Sequence, residues 1–139
     1  MRFLRGAVVS AVLTLLLVVP SAAAHATPPS GVSGVILSTK TWHGHDYVLR
    51  EITIQPGGET GWHYHDGPVY AYVDSGTLTR YDSACRREVF PAGHGLGEPS
   101  GPRHVHVTRN LGTVPVVFHA LYVLPTGSPL SQDAPDPGC

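Results

Sequence analysis

Charge is scarce in this chain of 139 residues. Only 14% of the residues are Asp, Glu, Lys or Arg, and the formal net charge is −1. A nucleic-acid binder needs a basic surface, so that class is disfavoured. Cysteine is nearly absent, with Cys85 and Cys139 alone, which excludes a framework of several disulfides and leaves a single intramolecular pairing. No Gly-x-Ser-x-Gly nucleophile elbow occurs. Gly95-x-Gly97 is not followed by a helix-forming stretch, so it is not a nucleotide loop, and no carboxylate pair has clear acid/base spacing. Strong helix-forming stretches are missing as well. Gly (16) and Pro (13) make up more than a fifth of the chain, which argues against a helical bundle. Disorder is excluded from the other side, because a hydrophobic content of 42% can fill a core.

One long apolar run is present, and it is N-terminal. Arg2 and Arg5 precede residues 6–19, interrupted only by Ser10 and Thr14, and small residues lead to Ala24-His25-Ala26. This is the layout of a secretory signal, residues 1–26, with cleavage after Ala26, or after Ala24 as the alternative. An uncleaved anchor is the competing reading, but the run is short for a span of about 20 residues. The expected location is secreted or extracytoplasmic, with no membrane attachment after cleavage. Losing Arg2 and Arg5 leaves a net charge of about −3. Export permits a Cys85–Cys139 disulfide, which would staple the C-terminus to the body.

Residues 27–34 read as a polar linker, residues 35–124 as the folded domain and residues 125–139 as a Pro-rich tail docked at most by Cys139. Within the domain, strands are expected over residues 34–38, 47–54, 60–65, 69–73, 77–81, 87–90, 104–108 and 114–124. Turns are expected at 55–58, 75–76, 82–86, 91–101 and 110–112. Short strands at this spacing predict an all-β sandwich or small barrel.

Histidine is what the chain has in excess: nine residues, eight of them after the signal. Three segments read His-x-His: His43/His45, His63/His65 and His104/His106. Alternate residues of a strand share a face, so two such pairs on neighbouring strands supply a complete set of imidazole ligands. His43 and His45 lie in a turn-like segment and read as ordinary polar residues. His94 reads as a rim residue of a Gly-rich loop, and His119, between Phe118 and Ala120, as a satisfied core residue.

The segment Gly57-x5-His63-x-His65-x3-Val69-x6-Gly76 resembles the first motif of the cupin superfamily, G-x5-H-x-H-x3-E-x6-G. Gly93-x5-Pro99-x-Gly101-x2-His104 resembles the start of the second, G-x5-P-x-G-x2-H-x3-N. Trp62-His63-Tyr64-His65-Asp66-Gly67-Pro68-Val69 is similar to the small exported single-domain members. The resemblance implies a cupin-type antiparallel β-barrel (jelly-roll) with a divalent transition metal held by His63, His65, His106 and His104. His104 fits the spacing from Pro99, while His106 fits the spacing to Asn110. His106 is therefore favoured as third ligand, with His104 as a fourth ligand or a supporting group.

The motif's glutamate is Val69 here, with Tyr70 next to it, and neither can ligate. An all-histidine site suits zinc, copper, nickel or iron rather than manganese or magnesium. Glu59 is the one replacement carboxylate left open. The functional expectation is an exported cupin that binds a metal and holds or acts on a small molecule. The alternative is a non-enzymatic ligand-binding or structural cupin with a vestigial metal site. A homodimer is the protein partner the resemblance allows.

Overall fold

In the computed structural model, residues 26–139 are described; the expected signal, apart from Ala26, lies outside them. Ten strands form: β1 (Ser30–Trp42), β2 (His45–Glu59), β3 (His63–Tyr64), β4 (Val69–Ser75), β5 (Thr77–Asp82), β6 (Arg87–Pro91), β7 (Gly95–Glu98), β8 (His106–Arg109), β9 (Val116–Pro125) and β10 (Gln132–Asp133). Every pairing is antiparallel, and no helix occurs among the described residues.

The strands make two layers. One runs β1-β2-β9-β4-β7 and the other β6-β5-β8-β3-β10. They join where Glu59, at the end of β2, pairs with Arg109 of β8. The result is a nearly closed jelly-roll barrel. Alternation builds its interior: Val116, Phe118, Ala120, Tyr122 and Leu124 of β9 face inward, against Val48, Ile52 and Ile54 of β2 and Val69 and Val73 of β4. His119 has the opposite parity in β9. It lies on the outer face, half-buried, with Nδ1 2.6 Å from Asp74 Oδ2, so it is not a core residue.

Three expectations are corrected. Residues 27–34 are not a linker. Thr27 Oγ1 accepts a hydrogen bond from Trp62 N, and β1 starts at Ser30. Gly61 permits this docking: its φ is +73°, and a Cβ there would strike the Thr27 carbonyl. The turn expected at 55–58 is instead a bend inside β2, where the register against β1 jumps between Val32↔Ile54 and Ser30↔Glu59. The tail is docked by more than its cysteine. β10 pairs with β3, Ala134 is buried, and its N–H donates to Trp62 O.

The Cys85–Cys139 disulfide is formed, with a Cα–Cα distance of 5.6 Å and a sequence separation of 54. Closing a loop of this length constrains the unfolded chain by about 4 kcal/mol in the loop-entropy description. The double replacement Cys85→Ser/Cys139→Ser is expected to lower unfolding free energy by about 2–4 kcal/mol, read from urea midpoints. Coincident denaturation curves would show that the tail is held without the bridge.

Candidate metal centre

The site lies between the two layers. His63 is in β3 and His106 in β8, directly opposite one another as a cross-strand pair. His65 follows β3 by one residue. The ring centroids are separated by 4.4 Å (His63–His106), 4.8 Å (His63–His65) and 5.3 Å (His65–His106). One nitrogen from each ring lies within 4.8 Å of the others. A tetrahedral ion with bonds of about 2.1 Å spaces its donors about 3.4 Å apart, so small side-chain rotations complete the approach.

Each imidazole is held by its other nitrogen. His63 Nδ1 lies 2.9 Å from Gly61 O, His65 Nδ1 2.6 Å from Leu130 O, and His106 Nδ1 2.8 Å from His104 O. A carbonyl oxygen only accepts, so all three Nδ1 atoms carry hydrogen and donate it. In the neutral rings Nε2 is therefore a free lone pair, available to a metal.

Glu98, at the end of β7, places a carboxylate beside two of the three histidines. Its Oε2 is 3.1 Å from His65 Nε2 and its Oε1 is 3.3 Å from His106 Nε2. The latter nitrogen is buried and has no partner with hydrogen-bond geometry. A lone pair facing a carboxylate is repulsive, so a positive charge must stand between them: a proton or a metal ion. Arg80 Nη1 lies 3.8 Å from Glu98 Oε1 and donates to Gly97 O, which braces the carboxylate from behind.

The ionisation of these groups follows from the crowding. Burial pushes His63 down to about 4, and the neighbouring His106 and His65 charges add to the effect. Burial also opposes charge on His106, but the Glu98 carboxylate outweighs it and raises that ring above its ordinary value. Burial alone would raise Glu98; the positive charge of His106 and the contact with His65 win and hold it well below the carboxylate range. Tyr122, edge-on to the His65 ring at 5.6 Å, is raised chiefly by burial.

The structure thus brings His63, His65 and His106 together and leaves His104 out. His104 is exposed and lies in a bend closed by its own N–H to Gly101 O, two residues before β8 starts. The i, i+2 rule fails for it because it is not in the strand; only its main-chain carbonyl serves the site. Glu59 is also elsewhere, 2.7 Å from Arg109 Nε. His43 and His45 are exposed at the β1–β2 hairpin, where His43 has φ +47°.

A carboxylate stands beside the three histidines, although positions 69 and 70 hold none. Val69 and Glu98 are directly paired across β4 and β7, so Glu98 offers its carboxylate from the position beside the motif's own. The signal available in the sequence was an acidic residue immediately before the motif proline, Pro99.

In the metal-free protein, an NMR titration is expected to find His63 titrating near 4 and His106 above its ordinary value. Between about 6.5 and 4 the unfolded chain takes up a proton that folded His63 refuses. The His63 contribution to stability therefore declines as pH falls through that window. A His63 midpoint near 6.5 would refute the crowded geometry.

A family model described as a cupin domain matches residues 50–123. Solved structures show the same fold. The polyketide cyclase RemF from Streptomyces resistomycificus is 19% identical, with 88% of this chain and 90% of that chain covered at a TM-score of 0.61. A cupin-2 domain protein from Rhodospirillum rubrum is 15% identical, covering 76% and 67% of the two chains at 0.61. A double-stranded β-helix domain protein from Klebsiella pneumoniae is 22% identical, covering 84% and 90% at 0.56. No curated protein matches the sequence.

Proposed function

This chain belongs to the cupin domain family, and from that premise we propose that it is an exported protein that holds one divalent transition metal ion on His63, His65, His106 and Glu98, to bind or act on a small molecule. The observation that carries the reading is the shared tautomer: three Nδ1–H groups spent on main-chain carbonyls, three Nε2 atoms turned toward a common centre. The unpartnered, buried His106 Nε2 beside Glu98 is a place where a cation fits and neutral groups do not. Three imidazoles and one carboxylate suit zinc, copper, nickel or iron, and the carboxylate removes the earlier ground for disfavouring manganese.

When bound, such an ion supplies Lewis acidity toward an oxygen of the ligand. The chain's own residues orient and shield that ligand. A cavity of about 190 Å3 opens beside the centre, lined by Ile52, Thr60, His63, His65, Tyr122 and Leu130 among others. It is smaller than the roughly 300 Å3 at which sites for drug-sized ligands begin. This favours a ligand smaller than the polyketide named for the Streptomyces cyclase. Phe118, Leu78 and Ala120 line a smaller inner cavity of about 40 Å3 against the histidines. The Cys85–Cys139 bridge supports residence in an oxidising compartment, in keeping with the N-terminal export signal.

Metal analysis after loading and desalting is expected to find one equivalent in the wild-type protein and in His104→Ala. His63→Ala and His106→Ala should each lose it. Glu98→Gln keeps the shape without the charge and is expected to weaken binding by about tenfold or more. Full stoichiometry in both histidine variants would refute the assignment. Affinity should rise with pH, because the ion must displace the proton that Glu98 favours on His106. Calorimetry in buffers of different ionisation enthalpy reads that released proton directly.

A further inference from the structure

The inward row of β2 reads Val48, Arg50, Ile52, Ile54. The three aliphatic residues are buried core, and a cation stands in the middle of their row. Arg50 is half-buried, and no carboxylate lies within ion-pair distance of it among the described residues. Three other arginines of the barrel are paired: Arg80 with Glu88, Arg86 with Asp82 and Arg109 with Glu59.

The surroundings of Arg50 are shaped to receive it. Directly across β9 stands Ala120, a small residue that leaves the space above it open. On β1, Gly34 lies beneath the guanidinium, and a Cβ there would come within 2.6 Å of Arg50 Cζ. Gly34 has no left-handed backbone to justify glycine, so the absent side chain has a packing reason. The guanidinium neighbours the Tyr122 hydroxyl and lines the same cavity of about 190 Å3 as His63, His65 and Leu130.

We propose that Arg50, cradled over Gly34, is the specificity-determining residue of that cavity, and that the ligand is a small carboxylic acid whose carboxylate sits on the guanidinium while its other end reaches the histidine centre. Arg offers a planar fork that matches a carboxylate in two parallel hydrogen bonds. The low-dielectric wall formed by Ile52 and Leu130 strengthens the pairing relative to water. Phosphate is a poorer match, because one guanidinium leaves most of a dianion's acceptors unmet. The proposal extends the metal-site reading, yet the anion step can be read with or without the ion.

Calorimetric titration of the folded protein with malonate, malonamide and inorganic phosphate, in zinc-loaded and zinc-free samples, tests it. Malonate is expected to bind and malonamide to bind at least about tenfold more weakly. Arg50→Gln should weaken malonate by a similar factor with zinc content unchanged. Arg50→Lys should retain part of the affinity. Gly34→Ala, which displaces the guanidinium and leaves the charge, should also weaken malonate. Equal malonate binding by wild type and Arg50→Gln, or malonamide binding as tightly as malonate, would overturn the proposal. Phosphate binding as tight as malonate would overturn the carboxylate assignment. Zinc stoichiometry in the same samples separates the two readings. Loss of zinc from the wild type would sink the metal site while the zinc-free titration still decides the role of Arg50.

Discussion

Three imidazole N–H groups, each donated to a main-chain carbonyl, are the constraint from which the rest of this molecule follows. The three acceptors come from distant parts of the chain: Gly61 in the turn before β3, His104 in the bend before β8, and Leu130 in the segment after β9. Each must be in place for the opposite nitrogens to converge. The C-terminal segment is therefore part of the centre. β10 pairs with β3, Gln132 donates to Asp66, and the disulfide holds the chain end. Together these keep Leu130 O within 2.6 Å of His65. The N-terminal segment has the same role one step removed, since Thr27 packs on Gly61 and Trp62.

A carboxylate and three imidazoles in a barrel interior are expensive groups to bury. The surrounding side chains show why the fold tolerates them. Glu98 is bracketed by His65, His106 and Arg80, so its charge is met on three sides. Its oxygens are held at the inner ends of β7 and β8, and apolar side chains of β2, β4 and β9 fill the remaining interior. A buried carboxylate needs compensating positive charge beside it. The protein supplies part of it through His106 and Arg80. Crowding keeps His63 neutral, and a neutral ring is the form that can ligate.

Local pattern carried much of this into the sequence. Short apolar runs between turn signals located β4, β5, β6 and β9. The pair His63/His65 and the spacing from His106 to Asn110 located the centre. Asn110 earns its position physically: its Nδ2 donates to Ile54 O and Val114 O, and its Oδ1 accepts from Gly112 N, so it fixes where β8 ends and how deep His106 sits. His104 was misread because a two-residue rule was applied across the end of a strand. The docked segments 27–34 and 125–139 were misread because their partners, Trp62 and Tyr64, are remote in sequence, and Pro and Gly content signals turns without saying what the turns touch. Arg50 interrupts the apolar parity of β2, and the cradle at Gly34 shows which way its head group lies.

The pairing of a carboxylate at position 98 with an apolar residue at position 69 has a structural logic. Paired residues on adjacent strands project to the same face, so either member of the Val69–Glu98 pair can reach the centre. The two positions are not equivalent, however. Val69 is on β4, which is hydrogen-bonded on both sides, to β7 and to β9. Glu98 ends β7, which pairs with β4 alone, and Pro99 follows without a donor to extend the ladder. A carboxylate on the edge strand can therefore be approached by a second-layer side chain, and Arg80 occupies that approach, with its other contacts running outward to Glu88. An acid at position 98 thus links the centre to a surface ion pair, while the apolar side chain at position 69 packs in the core with Tyr122 and Leu124.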